Sequence, residues 1–198
     1  MMRAALALAV VLGFVAAPAA AELVDHVDPF VGTGGHGHTF PGPTLPFGMV
    51  QLSPDTRLSG WDGCSGYHFS DTVVYGFSHT HLSGTGASDY GDILLMPVTG
   101  EPHTDNGHPD RPDAGYASRF RKTTERAAAG WYAVRLEDHG IDVELTATPR
   151  TGLHRYALPA GRPAHVVVDL THRDELLDAG LTVADTRTLD GFRPVSYT

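Results

Sequence analysis

The sequence predicts an all-β, antiparallel β-sandwich with long Gly/Pro-rich loops. Three observations carry that prediction. Tyr132, Val134 and Leu136 alternate with Ala133, Arg135 and Glu137, and past the turn signal Asp138-His139-Gly140 the residues Ile141, Val143, Leu145 and Ala147 alternate again, which describes a hairpin. Short β-like runs recur at 153–158, 165–170 and 181–184, each set off by turn residues. Between residues 32 and 96 lie more than half of the chain's 23 glycines, and prolines 41, 43, 46 and 54 exclude any long helix there.

Taken in order, residues 1–21 read as a signal peptide. Met1 to Arg3 give a short positive start, an apolar run follows to Ala17, and Ala19-Ala20-Ala21 meets the small-x-small rule for cleavage after Ala21. The run is shorter than the roughly 20 apolar residues a membrane span needs. Residues 22–198 form one domain's worth of chain. Within it, 22–31 reads as a short initial strand ended by Pro29, and 32–66 as irregular. Short strands are expected at 49–52, 73–77 and 93–97, and a polar loop at 100–115. Residues 119–129 are the best helix candidate, with a β-edge plus loop as the other reading. Trp131 opens a strand and is expected in the core. Residues 189–192 read as turn-like, as though a strand should follow, so the chain reads either as partial or as ending naturally at Thr198.

Bulk composition narrows the function. The net charge of −9 argues against a nucleic-acid partner, which requires a basic patch. The leading segment directs the chain to a secreted or periplasmic location, and no second long apolar run suggests a membrane-bound mature form. The single cysteine, Cys64, excludes an internal disulfide framework and is either buried and inert or placed at a site.

The chemistry-bearing residues concentrate in 32–96. Gly32-Thr33-Gly34-Gly35-His36-Gly37 matches the spacing of a dinucleotide fingerprint, but Thr39-Phe40-Pro41-Gly42-Pro43 follows, where no helix can start to receive a pyrophosphate. His36/His38 and His79/His81 are two HxH pairs that could present imidazoles on one strand face. They are zinc ligands completed by His68 or Asp89, loop residues that touch a ligand, or structural hydrogen-bonders. The densest patch is Asp55-Thr56-Arg57 with Gly60-Trp61-Asp62-Gly63-Cys64-Ser65-Gly66-Tyr67-His68. An exposed Trp61 would offer an apolar face to the C–H side of a sugar ring, and neighbouring Asp62 and Arg57 would supply charge-assisted hydrogen bonds. Its alternative is a core tryptophan. Neither a GxSxG elbow nor a P-loop occurs.

At these residues the chain resembles the amino-terminal domain of glycoside hydrolase family 92, the exported exo-α-mannosidases. The resemblance rests on five linked motifs running from Val27-Asp28-Pro29-Phe30-Val31-Gly32-Thr33-Gly34 through Leu45-Pro46-Phe47-Gly48-Met49, Gly60-Trp61-Asp62-Gly63-Cys64, Gly76-Phe77-Ser78-His79-Thr80-His81 and Asp89-Tyr90-Gly91-Asp92. It implies a β-sandwich packed on a carboxy-terminal (α/α)6 catalytic domain, with the active site between them. It also implies a mannose-containing glycan as substrate, hydrolysis with inversion, and calcium in the complete enzyme. The general acid, general base and most calcium ligands would lie on the barrel, so no catalytic residue is assigned in this chain and no activity is expected from it alone. By resemblance Trp61, Asp62, Gly63 and Cys64 line the sugar pocket, joined by Arg57, His79 and His81. The positions of His36 and His38 are left open. Two other readings remain: a stand-alone carbohydrate-binding module, and a zinc-dependent hydrolase built on the HxH pairs.

Overall fold

The computed structural model describes residues 22–197, so the signal peptide expected over 1–21 lies outside the described residues. Fourteen strands follow in order: β1 (Ser53–Asp55), β2 (Val73–Val74), β3 (Gly76–Ser78), β4 (Leu94–Thr99), β5 (Ser118–Arg119), β6 (Arg126–Ala128), β7 (Trp131–Leu136), β8 (Ile141–Ala147), β9 (Gly152–Ala157), β10 (Ala164–Asp169), β11 (Glu175–Leu176), β12 (Gly180–Val183), β13 (Leu189–Phe192) and β14 (Val195–Ser196). The described helical elements are single 3₁₀ turns, one of them at Trp61–Gly63. No helix among the described residues is long and apolar enough to cross a membrane.

Two four-stranded antiparallel sheets face each other, ordered β6-β7-β8-β9 and β1-β3-β4-β10. The first is a plain meander whose register follows from its alternation. Tyr132 pairs with Leu145, Val134 with Val143 and Leu136 with Ile141, and all six side chains are buried. The opposite face carries Arg135 across from Asp142, joined at 2.8 Å. Leu94, Met96 and Val98 of β4, with Leu52 and Phe77, close the core from the second sheet. Burying such aliphatic side chains contributes about 1.5–3 kcal/mol each before chain entropy is counted.

Several expectations are corrected. Residues 22–31 form no strand; Leu23–His26 is a 3₁₀ turn closed by a local capping box, in which Glu22 N–H donates to Asp25 Oδ2 at 2.9 Å. Residues 119–129 are not helical. They supply β5, a turn and the edge strand β6, because Glu125 is drawn inward to accept bonds from Tyr67 Oη (2.9 Å), Tyr132 Oη (2.7 Å) and Lys122 Nζ (2.9 Å). Trp131 lies on the outer face of β7, half-buried rather than in the core, since the buried phase of that strand begins at Tyr132. The strand expected over 73–77 is split at Tyr75, where a Cβ on Gly76 would stand 2.4 Å from the Leu94 side chain. The strand expected at 49–52 begins instead at Ser53, and 189–192 is itself a strand, paired with β12.

Candidate functional site

The loops at one end of the sandwich converge on the 3₁₀ turn Trp61–Gly63, whose first residue leaves its side chain outside. Trp61 is 64% exposed. One edge of its ring is met by the His38 ring, centroids 4.9 Å apart. Beneath it lies Gly86, where an added Cβ would stand 2.3 Å from the Trp61 ring, so only glycine lets the backbone support the indole. Gly63 rests on the stem of Arg57, 2.9 Å from where its Cβ would be. The Arg57 head turns away from Trp61 to bind Asp71 through Nη2 (2.5 Å) and Nε (3.2 Å).

Asp62 sits beside the indole and carries the site's exposed charge. His36 Nδ1 lies 2.9 Å from Asp62 Oδ1, and His38 Nε2 lies 3.9 Å from the same oxygen. The His36 hydrogen bond, outweighing partial burial, holds the Asp62 carboxyl below its usual range. Of the first HxH pair, His36 therefore bonds the carboxylate, while the buried His38 Nε2 stands near it without a hydrogen-bond partner. Cys64 is buried, and its Sγ–H faces two carbonyls, Trp61 O at 2.8 Å and Gly86 O at 3.0 Å. The thiol is tied to the backbone beneath the tryptophan.

The second pair diverges. His79 Nδ1 lies 2.7 Å from Ile93 O, so it carries the proton and leaves Nε2 as an acceptor. His154 Nε2, 3.1 Å away, must then donate to it, and Tyr156 Oη donates to His154 Nδ1 at 2.8 Å. This assignment follows from the geometry and consumes both rings as neutral imidazoles. Burial, with His79 adjacent, pushes His154 down to about 3, and burial lowers His79 as well. His81 turns inward instead, with Nδ1 2.7 Å from Gln51 O and Nε2 3.2 Å from Asp55 Oδ1.

Asp55 is fully buried between His81 and His172, whose Nε2 is 3.4 Å from Asp55 Oδ2. Burial alone would raise its carboxyl; the two imidazoles outweigh burial and hold it far below the ordinary range. The zinc reading is therefore corrected. The two pairs face different partners, and among the described residues no group of three or more His, Cys, Asp or Glu is placed to hold a metal ion. The same test applies to calcium: among the described residues the acidic side chains do not by themselves form its site.

Of the residues expected at the site, Trp61 and Asp62 form its surface, Gly63, Cys64 and Arg57 lie beneath it, and His79 and His81 lie in hydrogen-bonded networks behind it. Sequence reasoning missed His172, Arg173 and Asp174. Arg173 is buried and donates to Ser88 O at 2.7 Å and Gly63 O at 3.4 Å. A charged triplet directly after a strand was the available signal, but it does not distinguish a solvated loop from a buried one.

The fold and the loops define an all-β sandwich domain with an exposed aromatic-acidic turn at one end. The model of the glycosyl hydrolase family 92 N-terminal domain matches residues 26–197, and the chain belongs to that family. It is similar to an uncharacterized secreted glycosidase of Arthroderma benhamiae, 31% identical over 177 residues, which is 84% of this chain and 22% of the relative. It is also similar to a family GH92 α-mannosidase of Bacteroides thetaiotaomicron solved with mannoimidazole, at TM-score 0.82 and 40% identity, covering 86% of this chain and 23% of that one. A family GH92 inverting mannosidase of the same organism matches at TM-score 0.72 and 26% identity, covering 89% of this chain and 24% of that one. The chain thus spans just under a quarter of the length of these relatives.

Proposed function

We propose that this chain is the sugar-facing, amino-terminal domain of an exported, calcium-dependent, inverting α-mannosidase, and that it turns over no substrate by itself. The observation that supports this reading most directly is the pairing of an exposed, backbone-supported Trp61 ring with the ionised Asp62 beside it. In this reading the indole packs on the C–H face of a terminal mannose, and Asp62 accepts hydrogen bonds from its hydroxyls. His36 keeps the carboxylate charged and oriented. Inversion requires two carboxyl groups roughly 6.5–9.5 Å apart on either side of the scissile bond. Those groups, and the calcium ligands, are assigned to a carboxy-terminal (α/α)6 domain. Kinship with α-mannosidases supports the glycan and the catalytic partner. The secreted relative and the leading apolar segment support export, with cleavage after Ala21.

The test is a titration of residues 22–198 with mannose and α-mannobiose in a Trp131→Phe background, so that emission reports Trp61. Saturable quenching, abolished by Trp61→Ala with the far-UV spectrum unchanged, is the expected outcome. Quenching that persists after calcium chelation would show that the domain carries its own sugar site. Release of mannose by the purified chain would overturn the assignment of catalysis to another domain. The absence of any response from a folded domain would overturn the independent sugar site and leave Trp61 dependent on the catalytic partner.

A further inference from the structure

The tripeptide His172-Arg173-Asp174 follows β10 and runs beneath the loops that carry the Trp61 turn. All three of its side chains engage those loops or the strand beside them. His172 meets Asp55 at the end of β1. Arg173 reaches Gly63 O in the Trp61 turn and Ser88 O in the loop that holds Gly86. Asp174 Oδ2 accepts from Tyr90 N–H at 3.0 Å. The backbone here is strained for side-chain-bearing residues: Asp174 has φ 61 and its partner Tyr90 has φ 79. Such conformations persist where surrounding contacts over-determine them, and they gather at ligand clamps and active sites. The Arg173 stem lies against Gly91, 2.7 Å from where a Cβ would be, and the Arg193 guanidinium holds Arg173 O from the other side while pairing with Asp92.

We infer that Arg173 is a positioning residue, which fixes the Trp61 turn against the 84–92 loop and so holds the indole at one height above the sandwich. The Trp61 ring rests on Gly86, which belongs to the other loop, and meets the His38 ring at one edge. The spacing between those two backbones therefore sets where the ring stands. Arg173 spans that spacing with one guanidinium, and Cys64 Sγ spans it a second time at Gly86 O. A planar guanidinium can serve two carbonyls in different directions at once, whereas an ammonium on a flexible stem does so poorly. The link from this clamp to sugar recognition rests on the function proposed above; the clamp itself does not.

The experiment uses the chain in a Trp131→Phe background and reads time-resolved anisotropy of Trp61, with a separate mannose titration. Arg173→Lys keeps the charge and is the variant chosen to fold; Arg173→Met is its companion. With the far-UV spectrum unchanged, the amplitude of the nanosecond wobble of Trp61 should about double in Arg173→Met and rise less in Arg173→Lys. Where Arg173→Met does not fold, Arg173→Lys decides alone. Unchanged Trp61 anisotropy in folded variants would overturn the inference. Increased wobble in a protein whose parent binds no mannose would uphold the clamp while counting against the sugar site. Increased wobble together with weakened mannose quenching would uphold both.

Discussion

The meander β6–β9 and the loop region 33–93 each have a buried interior, but different kinds of side chain fill them. The meander's interior is Tyr132, Val134, Leu136, Ile141, Val143 and Leu145, which face each other in register. The loop region buries Thr33, Ser53, Asp55, Thr56, Ser65, His68, Ser78 and His81 alongside its apolar residues. The first region is held mainly by non-directional burial, the Tyr132–Glu125 bond aside, and losing one methylene there costs little. The second is held largely by directional bonds between groups that are costly to bury unpaired, although Ser53 Oγ and Asp55 Oδ2 lack a hydrogen-bond partner. An interior of the second kind fixes backbone loops in a single arrangement, which is what a support for Trp61 and Asp62 requires.

The largest expected effect breaks the polar interior at its centre. Asp55→Ala would leave His81 and His172 buried without their shared carboxylate. Removing one partner of a buried ionic network costs about 3–5 kcal/mol, and urea unfolding should show a loss of that size. A loss below about 1 kcal/mol would mean that the loops are held by packing after all. Ile141→Val, equally buried in the meander, should cost only about 0.5–1.5 kcal/mol.

Acid should damage the two regions unequally. His154, on β9, reaches across to His79 of the loop region and is held at about 3 against an ordinary 6.5. Between those limits the unfolded chain binds the extra proton, so stability is whole above pH 6.5 and falls as pH drops towards 3. Allowing for solvent screening, this loss is on the order of 1–2 kcal/mol. Asp55 has the same sign in a lower window: its contribution is whole above the ordinary carboxylate value of 3.8 and falls away below it. Urea unfolding repeated from pH 7.5 to 4 should show the first decline. His154→Phe should flatten it, and an equally steep decline in that variant would place the titration elsewhere.

The same contrast explains what the sequence revealed. Alternation is a local code, so β7 and β8 were legible nearly to the residue, and the core phase of Val134 against Val143 with them. Trp131 was misplaced because it sits one residue outside that phase. Residues 22–31 read as a short strand ended by Pro29, yet a capping box between Glu22 and Asp25 closes a 3₁₀ turn first. In the loop region the residue types were visible but their partners were not. Asp55 was one carboxylate among several, and its second imidazole, His172, arrives only after β10. Glycine density marked the long loops of 32–96, but not that Gly86 would lie beneath Trp61.

The smallest effect provides the control for the largest. Glu144 and Arg155 face each other on β8 and β9, with Nη1 and Oε2 2.5 Å apart, a closer approach than either imidazole makes to Asp55. Distance alone would rank this pair as the stronger one. Both side chains, however, are exposed, so water already solvates each charge when the pair is broken. Glu144→Gln should therefore change the unfolding free energy by less than about 1 kcal/mol, and raising the salt concentration should shrink even that. Asp55 has no such refuge, because its carboxylate would have to be solvated inside the protein. A Glu144→Gln effect as large as that of Asp55→Ala would show that the meander also depends on its ion pairs. The distinction between an apolar interior and a polar one would then fail at the surface strand where it should be clearest.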